Sequence, residues 1–169
     1  MTLTTCRVSN CHPRTVDICL VWGNRNAWDP WAYVEQHHPD VRVEVAKLQG
    51  RVQGCVDVRR KIIWLDADLT PTQARCVLAY EIGHLEQGPT PTNPCQARAA
   101  QKAAEEWAAL MLVPSDDFVA AWGNCLDLAA MASRCGVDLP TFRARIRAAS
   151  DTDQDAAMQA IVNTRMSSA

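Results

Sequence analysis

Apolar and polar residues follow two rhythms along this chain. Val41, Val43 and Val45 alternate with Arg42, Glu44 and Ala46, a period of two that predicts a half-buried strand. Cys55-Val56-Asp57-Val58 alternates again, and Lys61-Ile62-Ile63-Trp64-Leu65 is a third run rich in β-branched and aromatic residues. Gly50 and Gly54 punctuate these runs. The links between them are short, so antiparallel pairing into a three-stranded sheet is expected.

The rest reads as helix. Thr70-Pro71 is a cap followed by proline in the first turn, and it opens a helix running to Glu86. Gly88-Pro89-Thr90-Pro91-Thr92-Asn93-Pro94 breaks that helix. Asn93-Pro94 then caps an Ala-rich helix over 94–113, which ends at Val113-Pro114. Ser115-Asp116-Asp117 caps another. Leu126 to Arg134, a Cys135-Gly136 turn and Leu139 to Ala149 read as helix, turn, helix, and Asp153 to Met166 is a last amphipathic stretch. Ahead of the strands, Asp29-Pro30 starts a helix through Trp31, Val34 and Glu35. It stops near His38, because Pro39 disfavours helical backbone in the residue before it. His37 and His38 point about 100° apart on that helix, as at a solvated helix end. The expected fold class is α+β: a small antiparallel three-stranded sheet followed by a helical bundle. It forms one domain, 1–169, with 1–25 as an N-terminal extension, 41–114 as the sheet plus two long helices, and 115–169 as the C-terminal helices.

Composition narrows the setting. A chain of 169 residues with 48% apolar content can bury a core of its own. A formal net charge of −2 gives no global pull toward nucleic acid. No apolar run approaches the roughly 20 residues that span a bilayer, and Met1 to Cys6 lacks the basic-then-apolar order of a signal peptide. A cytoplasmic location is expected, and the eight cysteines are read as reduced, mostly buried thiols. Cys6, Cys11, His12 and Cys19 form a loose cluster, but no Cys-x-x-Cys pair occurs, so a zinc knuckle is not indicated.

The chemistry concentrates in Leu78-Ala79-Tyr80-Glu81-Ile82-Gly83-His84-Leu85. In His-Glu-x-x-His, two histidines one helical turn apart bind zinc, and the glutamate takes a proton from the metal-bound water. Here Glu81 and His84 stand in place, and Tyr80 holds the first histidine position, so the helix is zincin-like with one ligand changed. A second helix carries Gln101-Lys102-Ala103-Ala104-Glu105-Glu106-Trp107-Ala108-Ala109-Leu110-Met111-Leu112-Val113-Pro114. With the strands before them, these two helices resemble the ImmA/IrrE family of metallopeptidase-like proteins of bacteria, phages and mobile elements. That family has a Leu-Ala-His-Glu-(Leu/Ile)-(Gly/Ala)-His helix. A second helix bears a glutamate ligand six residues before an aromatic-Ala-Ala tail ending in proline. The resemblance runs from about Val41 to Pro114 and more weakly through 127–138.

The resemblance implies Glu81 as general base and His84 as a zinc ligand. It places Tyr80 and Gln101 where the first histidine and the acidic ligand belong. Phenol and amide oxygens bind zinc far less well than imidazole and carboxylate. Glu105, one turn beyond Gln101, and Cys95, in the loop, are substitute ligands. Tyr80 could serve as a phenolate, against its ordinary pKa near 10. Trp107 is expected to pack behind the site, between the two helices. By resemblance the chain is a zinc-associated, endopeptidase-like protein, phage or mobile-element encoded. It would act on a repressor-like protein partner, as a catalytically impaired pseudoprotease or, alternatively, as an active zinc endopeptidase. A further alternative is DNA binding through the helix-turn-helix pattern, where Arg143, Arg145 and Arg147 could meet phosphates. The absent basic footprint argues against it.

Overall fold

The computed structural model describes residues 28–88, 91–124 and 127–167. The predicted 1–25 extension and the Cys6, Cys11, His12 and Cys19 cluster lie outside the described residues. The elements run α1 (Pro30–His37), β1 (Arg42–Ala46), β2 (Gly54–Asp57), β3 (Ile62–Asp66), α2 (Pro71–Gln87), α3 (Pro94–Leu112), α4 (Ser115–Asn124), α5 (Leu128–Arg134), α6 (Leu139–Arg147) and α7 (Asp151–Ser167). The α+β class holds.

The sheet is mixed, which corrects the expectation of antiparallel pairing throughout. Its order is β1-β3-β2. β2 pairs antiparallel with β3, but β1 pairs parallel with β3, Val43 opposite Ile63. The reason is burial. Ile62, Ile63 and Leu65 of β3 are all buried, and so apolar a strand takes the centre, where two neighbours cover it. β1 exposes Arg42 and Val45, which an edge tolerates. Residues 47–53 carry the chain past β3, and the Asp66 carboxylate anchors them by accepting the Leu48 N–H at 2.7 Å. The β2–β3 turn is set by Asp57, whose Oδ1 accepts the N–H groups of Arg59 and Arg60.

Local signals place the helices. Thr70 and Gln73 form a capping box on α2, and Pro71 sits in its first turn. Asn93 caps α3 and Asp29 caps α1. α2 lies between two apolar clusters. Leu78 and Ile82 pack with Val34, Ile63 and Leu65 on the sheet side. Cys76 and Ala79 pack with Ala108, Leu112, Phe118, Met131 and Phe142 on the helical side. Trp28 and Trp107 join both clusters. Among the described cysteines, Cys76, Cys95 and Cys135 are free thiols. Cys76 is buried and Cys135 half-buried, and burial pushes both thiols up to about 11. Cys95 is exposed.

The helix-turn-helix segment is a packing unit. Arg145 is fully buried. Its Nε donates to the Val113 carbonyl at 2.7 Å, one Nη donates to Asp153 Oδ2 at 2.9 Å, and the guanidinium lies 4.4 Å from the Phe118 ring centre. It cannot reach a phosphate, which corrects its place in the predicted arginine face. On a helix, residue 145 points about 200° away from 143 and close to opposite 147. It falls with Phe142 and Ile146 on the inner side.

Candidate functional site

The capping box sets the register of α2, so that its last turns bring out Tyr80, Glu81, Gly83 and His84. Tyr80 and His84 share a face, as their spacing requires. Their rings meet edge to face with centres 4.6 Å apart. Gly83 makes the next contact. A side-chain carbon there would lie 2.9 Å from the Ala104 carbonyl oxygen and 3.1 Å from its Cα. The bare backbone therefore lets α3 approach, and the segment carrying Gln101 and Glu105 runs alongside the site helix.

Glu81 turns toward the sheet. It is 5% exposed, and a side-chain carbon on Gly54 would sit 3.2 Å from its Oε1. Gly54, a punctuating residue in the sequence, is thus the first residue of β2, and its missing side chain lets the strand cover this carboxyl. Burial raises the Glu81 pKa to about 7, against a backbone hydrogen bond from Val56 that favours the charged form. A carboxyl titrating there is matched to proton transfer at neutral pH.

Of the remaining candidates, only His84 is suited to a metal. Burial lowers the pKa of half-buried His84, which keeps its imidazole neutral and its lone pair free. Burial and the nearby charges of Glu81 and Glu105 raise the pKa of Tyr80, so the phenol keeps its proton and the phenolate is opposed. Gln101 is exposed on α3. The Glu105 carboxylate is held by Arg147 of α6, Nη2 to Oε2 at 2.8 Å. Cys95 is exposed, in the first turn of α3. Among the described residues, no group of three His, Cys, Asp or Glu side chains is arranged to hold a metal ion. A catalytic zinc needs about three protein ligands, and the donors present do not fit that requirement.

Two features were invisible in the sequence. Trp107 packs edge to face against both Trp28 and Tyr33, ring centres 5.8 Å apart in each case, so α1 forms part of the support behind the site. Glu86, two residues past His84, accepts the Tyr33 hydroxyl at 3.0 Å and lies 2.8 Å from His38 Nε2. His38 thus binds the end of α2, while His37 stacks on Tyr33 with ring centres 4.0 Å apart. A further groove of about 530 Å³ opens beside Tyr80, between α2, α3 and α6.

A strand-covered helix thus carries a glutamate and a histidine three residues apart and packs on a second long helix. Residues 35–147 match the model of the IrrE N-terminal-like domain, a peptidase family, and the chain belongs to that family. The match takes in every candidate from Tyr80 to Trp107. Among solved structures, the chain is similar to a Mycobacterium tuberculosis transcriptional regulator, with a TM-score of 0.58 and 16% identity over 69% of this chain. That likeness concerns the fold alone, and the chain spans 39% of that protein's length. The comparison with curated proteins finds no match. No helix among the described residues is long and apolar enough to cross a membrane.

Proposed function

We propose that this chain is a catalytically impaired member of its family, which keeps the peptidase scaffold and binds an extended segment of a regulatory, repressor-like protein. The observation that carries this reading is Tyr80. A protonated phenol stands where the first imidazole would bind zinc, edge-on against His84. β2 is an edge strand of the sheet, and an edge strand is where an extended peptide can add to a sheet.

Metal content tests the reading. The purified chain, dialysed against zinc and then buffer, is expected to hold well under one zinc per molecule, unchanged by His84→Ala. Tyr80→His with Gln101→Glu should raise zinc retention toward one per chain. About one zinc in the wild type, lost in His84→Ala, overturns the proposal. That result would favour the second reading, an active zinc endopeptidase, for which Glu81 with a pKa of about 7 and a neutral His84 speak. The DNA-binding reading loses its central arginine to the core.

A further inference from the structure

The groove beside Tyr80 has the make-up of a ligand site. Val77, Ala108 and Ala144 give it apolar surface, and Gln53, Tyr80, Thr141 and Arg143 bring polar side chains to it. Its size falls in the range of small-ligand and peptide-segment sites. Its charged lining is two arginines, Arg143 and Arg147, and two carboxylates, Glu105 and Asp138. The Asp138 carboxylate caps α6 by accepting the Thr141 N–H at 2.9 Å. Glu105 is taken by Arg147. Arg143, exposed and one turn before Arg147 on the same helix, has no carboxylate partner among the described residues. The Arg147–Glu105 pair is itself 47% exposed on both sides, so its net worth is small and a competing carboxylate can displace Glu105.

We infer that this groove takes an acidic peptide segment, with a ligand carboxylate held by Arg143 and within reach of Arg147. The inference rests on the peptide-binding reading above and names the chemistry of the partner. Arginine suits the role because its planar fork pairs with a carboxylate through two parallel hydrogen bonds. Two such forks one turn apart on α6 can take one acidic side chain each, or share one. The apolar surface between them and Tyr80 accepts the neighbouring side chains.

The test uses the full chain on an array of immobilised hexapeptides in which every residue type is scanned at every position. Wild type is expected to enrich peptides carrying Asp or Glu. Arg143→Ala should weaken their binding about tenfold, the worth of one charge-assisted contact. Arg143→Glu should reverse the preference toward Lys and Arg. Because Arg143 is exposed, both variants should unfold at the wild-type midpoint, which is checked first. Peptides bound without acidic enrichment, or an enrichment unchanged in Arg143→Glu, overturn this inference and leave the docking reading standing. An array on which no peptide binds above background overturns both.

Discussion

Replacing Glu81 with Gln isolates the cost of burying one carboxyl beneath β2. The side chain is 5% exposed, and its pKa is about 7 against an ordinary value of 4.5. Between those two values the folded chain holds a proton that the unfolded chain has released. Stability therefore falls as pH rises through this window, and the loss is complete above pH 7. The gap, at about 1.4 kcal/mol per pH unit, amounts to roughly 3 kcal/mol. Glutamine keeps the shape and an acceptor for the Val56 N–H, yet stays neutral throughout. Glu81→Gln should thus match the wild type near pH 4 and exceed it by about 3 kcal/mol at pH 8. Urea unfolding of both proteins at half-unit pH intervals, with a chelator present, measures the difference, and the other titrating groups cancel. Parallel profiles from pH 4 to 8 would refute the burial argument. A wild type more stable than the variant at pH 8 would show that the carboxylate has a favourable partner in the fold.

Three substitutions probe the packing that positions the site. Asp153→Asn leaves the Arg145 guanidinium buried without its counter-charge and should cost about 3 kcal/mol in urea unfolding, whereas Arg143→Ala should stay within about 0.5 kcal/mol. Equal effects at the two positions would contradict the burial of Arg145. Gly83→Val drives side-chain atoms into the Ala104 backbone and should cost about 2 kcal/mol. An unchanged denaturation midpoint would mean that α2 and α3 do not approach closely at that point.

The helices were legible because their signals are local. Asp29-Pro30, Thr70-Pro71 and Asn93-Pro94 each join a capping side chain to a proline in the first turn, and each begins a helix. Strand pairing was not legible. Short links favour sequence neighbours, but the competition for the central position is decided by how much apolar surface each strand must hide, and Ile62, Ile63 and Leu65 win it. The Glu-x-x-His spacing singled out Glu81 and His84 as candidates, while the cover over Glu81 comes from Gly54 and Val56, far away in sequence. The arginine run shows a signal that can be read. Its middle member lies on the same inner stripe as Phe142 and Ile146, so helical periodicity assigns it to the interior. The aromatic contacts of Trp107 with Trp28 and Tyr33 depend on α1 folding back over α2 and α3, and no local pattern announces that.

Arg145 also decides how the far side of the protein responds to load. Its guanidinium touches the end of α3 at Val113, the start of α4 at Ser115 and the first turn of α7 at Asp153. Arg143 and Arg147 of the same short helix line the groove next to Tyr80. A molecule that tugs on those two outer side chains therefore pulls through one rivet on three other rods, and the C-terminal third must yield as a block or hold as one.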